Sequence, residues 1–407
     1  MARHLAPQPW MTTPATARLL EALRAGGDDA RFVGGCVRDS LLGRDIHDID
    51  IATDAVPERV VALLEAARIK AVPTGIEHGT VTAVVDGRGF EITTLRRDIA
   101  TDGRHATVAF GTDWRADAAR RDFTINAMSL SPDGTLFDPF GGESDLAAGR
   151  LRFVGEAARR IEEDFLRILR WFRFYAHYGA PPPDAEALDA CRRYAHRLRD
   201  LSGERIRHEM LRLLAAPAPV ESIELMQKTG VFAELFGHAG DVDRLAGLCR
   251  IEPRTHTPPD PLLRLAALLG RAAVLDPLAD RWRLSKAERT RLAGALRQSP
   301  ALDRNASRHE RQALYYRAGA GEIRDRVLLA WAETPETDAW RPWLAELETY
   351  ERPRFPITGK DVAALGIEEG PRIGAYLERI EAWWIAEGFE ADRTACLERL
   401  RNCLAPS

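Results

Sequence analysis

Apolar positions change their period along the chain. Up to about residue 138 short alternating runs mix with brief helical ones, and after "SLSPDGTLFDPFGG" apolar residues return at helical spacing almost to the end. In the first part "RFVG" and "HDIDIA" read as strands, "CVRDSLLG" and "PERVVALLEAAR" as helices, and "GTVTAVV" and "GFEITTLR" as two further strands. Ahead of them "PATARLLEALRA" predicts a helix capped by Thr13, with Pro14 in its first turn and "GGDD" as its stop. From Arg97 to Asp117 polar residues and glycines follow no clear period, which predicts a long mobile loop. The pattern therefore predicts an α+β chain, a mixed head followed by an all-α remainder. Proline-rich stretches such as "YGAPPPDAEA", "LLAAPAPVES" and "EPRTHTPPDP" punctuate the helices, and "YERPRFPITG" sets off a last segment.

Length and composition narrow the class. At 407 residues the chain exceeds one ordinary core, so two or more domains are expected. No stretch approaches the roughly 20 apolar residues of a membrane span, and the first residues lack the apolar core of a secretory signal. A cytoplasmic protein with no membrane partner is expected. Five cysteines, at 36, 191, 249, 396 and 403, are scattered without C-x-x-C spacing, which predicts reduced thiols and no zinc. A net charge of −4 means that any nucleic acid must be held by a local patch.

The chemistry concentrates in "FVGGCVRDSLLGRDIHDIDIATD", residues 32 to 54. On a strand, Asp48 and Asp50 point to one side and Ile49 and Ile51 to the other. Two converging carboxylates are costly unless neutralised, and an oxygen-seeking cation such as Mg²⁺ would do so. Upstream, Gly34 and Gly35 mark a strand-to-helix junction where backbone N–H groups can approach a phosphate, with Arg38 one turn in. A surface strand with two solvated aspartates is the plainer alternative for each element alone. Their joint occurrence favours a nucleoside triphosphate held on Mg²⁺.

That stretch resembles the signature of the class II nucleotidyltransferases, which comprise CCA-adding enzymes and bacterial poly(A) polymerases. The resemblance continues in order through "RRDFTINAM" and "EDFLRILRWFRF", and more loosely through "SGERIRHEMLRLL" and "ITGKDVAALGIEEGPRIGAYL". It implies a polymerase-beta-like head at residues 30–150 behind an arm and helix at 1–29. A helical neck at 151–215, a body at 216–345 and a tRNA-binding tail at 346–407 would follow. It further implies catalytic carboxylates at Asp48, Asp50 and Glu91, the first two holding Mg²⁺. Nucleotide contacts would come from Gly35, Arg38, Arg121, Asp164, Arg167, Arg170 and Arg173, with Asp122 and Asn126 organising the site.

Asp164, Arg167, Arg170 and Arg173 recur at three-residue steps, which predicts a polar stripe on one helix with Leu166, Leu169 and Phe172 in the core. In the family's manner Asp164 and Arg167 would read the base. A carboxylate only accepts and a guanidinium only donates, a pair that suits the amine and ring nitrogen of cytosine and adenine and opposes the carbonyl of uracil and guanine. "PTGIEHGTVT" at 73–82 resembles the CCA-adding group, where poly(A) polymerases carry an Arg-rich stretch. The segment with Asp102, Arg104 and His105 resembles the flexible loop of enzymes that add all three nucleotides. Addition of C, C and A to the tRNA 3′ end from CTP and ATP, by a monomer or homodimer, is the expected activity. Poly(A) tailing, partial addition and an inactive tRNA-binding protein are the alternatives. Lys360 and Arg372 in the tail are candidate tRNA contacts, and the sole "HD", His47-Asp48, lies inside the nucleotide-binding motif, so no phosphohydrolase activity is expected.

Overall fold

The computed structural model describes residues 3–101, 106–270, 274–367 and 370–404. The chain forms two compact units, Met1–Gly240 and Asp241–Ser407.

The first unit begins with a sheet of eight strands: β1 (Arg3–His4), β2 (Ala30–Val33), β3 (Asp50–Thr53), β4 (Lys70–Gly75), β5 (Thr80–Val85), β6 (Arg88–Thr94), β9 (Ser129–Leu130) and β10 (Thr135–Phe137), in the spatial order β1-β10-β9-β2-β3-β6-β5-β4. Every neighbouring pair is antiparallel except β3 with β6, whose register sets Asp50 opposite Glu91. Alternation explains the core: Val81, Ala83 and Val85 of β5 and Phe90 and Ile92 of β6 are buried, whereas Glu91 between them is exposed. Helix α1 (Pro14–Arg24) starts as expected, with the Thr13 side chain accepting the Thr16 N–H, and it buries Leu19, Leu20 and Leu23. Helix α2 (Gly35–Leu41) follows β2 directly, and α3 (Pro57–Ala66) connects β3 to β4.

The stretch from Arg97 to Asp117 departs from the expected irregular loop. Strands β7 (Arg96–Thr101) and β8 (Ala106–Phe110) form a separate antiparallel ribbon, and α4 (Trp114–Ala119) follows, capped by Asp113, whose carboxylate accepts N–H bonds from Arg115 and Ala116. Asp102, Arg104 and His105 lie outside the described residues.

Helices α5 (Gly142–Ala147), α6 (Ala157–Glu163), α7 (Leu166–Tyr178), α8 (Ala185–Tyr194) and α9 (Gly203–Leu214) complete the part that frames the site. Gly142 is required where α5 begins, since a Cβ there would lie 2.1 Å from the Thr124 carbonyl oxygen. The buried face of α7 presents Ile168, Leu169, Trp171 and Phe172, and the Trp171 indole N–H donates to the Leu151 carbonyl at 3.0 Å.

The second unit is helical throughout its described residues. Its helices Val242–Ile251, Pro261–Leu269 and Ala320–Ala332 enclose a core that includes Trp331, and a buried Arg264–Glu252 pair closes with Nε to Oε1 at 2.9 Å. Tyr316, Val362, Ile380, Trp384 and Leu400 build a further apolar cluster toward the C-terminus. No helix among the described residues is long and apolar enough to cross a membrane, and all five cysteines are free.

Candidate active site

The Gly-Gly junction forms where β2 ends. Gly34 takes φ +70°, a left-handed conformation that favours glycine. A side chain there would crowd the approach: its Cβ would lie 3.4 Å from Arg121 Nη1 and 3.6 Å from Asp50 Oδ2. Three elements distant in sequence thus converge within a few ångströms of bare backbone.

Asp50 opens β3, whereas Asp48 lies just before the strand and is exposed, so the strand is shorter at this end than "HDIDIA" suggests. The alternation survives, with Ile49 and Ile51 buried on either side of half-buried Asp50. Burial pushes the Asp50 carboxyl up to about 6, and the charges of Glu91 and Asp48 act in the same direction against Arg121 and Arg38. Beneath Asp50, the thiol of Cys36 is pushed up to about 12 by burial, and it donates to the Val33 carbonyl at 3.2 Å. That sulfur is an inert packing group.

Arg38, Asn126, Asp122 and Arg170 form one chain of hydrogen bonds. Arg38 Nη1 donates to Asn126 Oδ1 at 2.7 Å, Asn126 Nδ2 donates to Asp122 Oδ1 at 3.0 Å, and Arg170 Nε donates to Asp122 Oδ2 at 2.8 Å. Burial alone would raise the Asp122 carboxyl. The Arg170 charge and the bonds from Asn126, Arg170 and the Phe123 N–H outweigh it and hold Asp122 below the usual range. Asp122 and Asn126 therefore tie α2 to α7.

The predicted stripe divides. Asp164 lies in the break between α6 and α7, with extended backbone at φ −157° and ψ 109°, and is not on the helix that carries the arginines. Its Oδ1 accepts the Leu166 N–H at 3.1 Å, and its Oδ2 accepts from Arg205 Nη2 of α9 at 2.7 Å. Arg167 is fixed by the Arg160 carbonyl at 2.8 Å and by Glu163 Oε2, which also holds Arg160. Arg173 takes another direction, buried against Glu209 with Nε to Oε2 at 2.6 Å. Glu209→Ala would strand that guanidinium without its carboxylate, at an expected cost of about 3–5 kcal/mol in urea unfolding.

A cavity of about 480 Å³ gathers Gly34, Gly35, Arg38, Arg121, Asp164, Arg167 and Arg170, together with Arg120 and Arg205. Of the predicted nucleotide contacts, Arg173 alone does not line it. Arg205, Arg160 and Glu163 received no role from the sequence. Arg205 sits in "SGERIRHEM", but nothing local marks a partner 41 residues away. Lys360 and Arg372 are exposed on the second unit, in helices Gly359–Ala363 and Gly370–Ala386.

A sheet that brings paired carboxylates to a glycine turn, with an arginine-lined cavity opening from the same turn, defines a nucleotidyltransferase. Residues 30–152 match the poly A polymerase head domain, and residues 183–239 match the probable RNA and SrmB-binding site of polymerase A. The mitochondrial CCA tRNA nucleotidyltransferase 1 of Danio rerio is 35% identical over 396 residues, covering 95% of this chain and 90% of that protein. The CCA-adding enzyme of Geobacillus stearothermophilus is 41% identical over 230 residues, which is 56% of this chain and 55% of that one. The solved structure of the Bacillus stearothermophilus CCA-adding enzyme in complex with CTP superposes with a TM-score of 0.80 at 29% identity, covering 97% of this chain and 98% of that one. This chain belongs to the class II nucleotidyltransferases, the family of CCA-adding enzymes and bacterial poly(A) polymerases.

Proposed function

We infer that the protein adds C, C and A to the 3′ end of tRNA from CTP and ATP, choosing each nucleotide without a nucleic-acid template. The observation that carries this reading is that Asp164 and Arg167 line the same cavity as the glycine turn. A triphosphate lying against Gly34 and Gly35, between Arg38 and Arg121, extends its base toward Asp164 and Arg167. These two then accept from the exocyclic amine and donate to the ring nitrogen that cytosine and adenine share.

In the transfer, the terminal 3′ oxygen of the tRNA forms a bond to the α-phosphorus and the bond to pyrophosphate breaks. Asp48 and Asp50 fit a Mg²⁺ ion by the chemistry of their donors, since two carboxylates two residues apart, with Glu91 in register beside Asp50, offer the oxygen ligands a hard cation takes. No group of three or more His, Cys, Asp or Glu among the described residues could hold a metal unaided. Magnesium commonly takes one or two carboxylates and completes its shell with substrate phosphate and water, which suits this two-carboxylate seat. When bound, the ion lowers the pKa of the attacking hydroxyl and offsets charge on the leaving pyrophosphate. Arg38 and Arg121 hold the triphosphate in place, and Glu91, in register with Asp50, adds negative charge on the neighbouring strand.

Five free cysteines accord with a reducing compartment, for which we take the cytoplasm. The exposed Lys360 and Arg372 supply cations for tRNA phosphates on the second unit. Incubating the protein with tRNA that lacks its CCA end and with labelled CTP and ATP tests the main reading. Two C additions and one A are expected, and long A-only products would overturn it in favour of poly(A) tailing.

A further inference from the structure

We propose that a second cavity in the head, on the carboxylate side of the sheet, seats the terminal nucleotide of the acceptor RNA by stacking. This rests on the reading of the protein as a CCA-adding enzyme. The cavity measures about 530 Å³, within the range of small-ligand sites (about 300–1,000 Å³). Its lining includes Arg3, Arg31, Trp114, Arg115, Arg121 and Phe137.

Position argues for this role first. Val33 also lines the cavity, and the β2–β3 register sets Val33 opposite Asp50 and Arg31 opposite Ala52. Residues directly opposed across an antiparallel pair share a face, so Arg31, Val33 and Asp50 lie on one side of the sheet. Trp114 packs on that same side against Val33, Ala52 and Leu95. Arg121 lines both this cavity and the one containing Asp164 and Arg167. A transfer between two substrates needs a seat for each, and the two cavities meet at the arginine beside Asp50.

Chemistry argues second. The Arg31 guanidinium carbon lies 4.0 Å from the Trp114 ring centroid and 3.9 Å from that of Phe137. Arg31, itself paired with Asp29, lies over both rings, and Phe137 stays 37% exposed, so a base can extend the stack without meeting a base-specific hydrogen-bond pattern. The terminal base of the acceptor changes at each of the three additions, so its seat has to tolerate different bases, and stacking does so. The acidic side chains here are already engaged. Glu143 pairs with Arg3, Asp117 holds Arg120 and Arg121, and Asp138 accepts the N–H groups of Gly142 and Glu143. Arg115 flanks the aromatic cluster with charge that suits an RNA phosphate.

The test is steady-state CMP incorporation into an acceptor-stem minihelix, so that contacts elsewhere on tRNA do not mask the effect. Trp114→Ala is expected to raise the minihelix KM about 10-fold or more, as loss of one base stack does. The KM for CTP and the equilibrium binding of CTP should stay within twofold, and Trp114→Phe should restore most of the loss. Phe137→Ala, at a partly exposed position, gives the same readout if Trp114→Ala lowers the melting temperature. A minihelix KM unchanged in both variants overturns the proposal alone. An equal rise in the CTP KM also overturns it, by assigning the cavity to the incoming nucleotide. A wild-type protein that binds CTP and extends no RNA would instead remove the underlying reading of function.

Discussion

Asp50→Ala is expected to lower CMP incorporation by about 10³-fold or more. The reason is the electrostatic position of this carboxylate. It sits half-buried beside Arg121, with Glu91 across the strand register and Asp48 two residues away, so it is where a cation gains most from binding. Loss of a metal that offsets charge in the transition state removes several kcal/mol, and each 1.36 kcal/mol is about tenfold in rate. CTP binding measured without divalent metal should be unchanged or tighter in the variant. Gly34, Gly35, Arg38 and Arg121 all remain, and one charge that repels the triphosphate is gone. A variant that keeps a tenth of the wild-type rate would exclude Asp50 from the transfer.

The second large effect concerns fidelity. Asp164→Ala is expected to raise misincorporation of UMP and GMP, relative to CMP, by about 5- to 150-fold. On the proposed reading the wild-type carboxylate opposes a carbonyl at a cost of about 1–3 kcal/mol, and the variant imposes none. Binding of tRNA should be nearly unaffected, because Asp164 lines the nucleotide cavity. Unchanged nucleotide preference would remove Asp164 from base reading. The structure adds a companion test at Arg205, whose Nη2 donates to Asp164 Oδ2 at 2.7 Å. Arg205→Ala should loosen discrimination part of the way, and Arg205→Lys should recover some of it, since one donor at that place suffices.

Residues 32 to 54 were legible because each element there is local. The glycine turn, α2 and the body of β3 follow from neighbouring residues, as does the Thr13 cap of α1, whereas the strand's first residue does not. Strands β1, β9 and β10 were not legible, having two or three residues each and depending on partners far away in sequence. The ribbon β7–β8 hid for a related reason, since its two strands form a sheet of their own apart from the main one. In "EDFLRILRWFRF" no glycine or proline marks the break at Asp164, so the helix seemed to begin earlier than it does. The arginine stripe misled geometrically. Three-residue steps advance about 300° on a helix of 3.6 residues per turn, so two steps from Arg167 place Arg173 about 120° around. There it meets Glu209 and the core, away from the cavity.

The parallel pairing of β3 with β6 bears on how the enzyme acquires activity during folding. β4, β5 and β6 follow one another as antiparallel neighbours and can pair through short connections. β3 must wait for α3 and both of those strands before its partner exists. Such non-local pairings form slowly, because chain closure is costly before the contacts compensate. The step that sets Asp50 opposite Glu91 is therefore expected to follow the pairing of β4, β5 and β6. Recovery of nucleotide incorporation should lag behind recovery of helical circular dichroism.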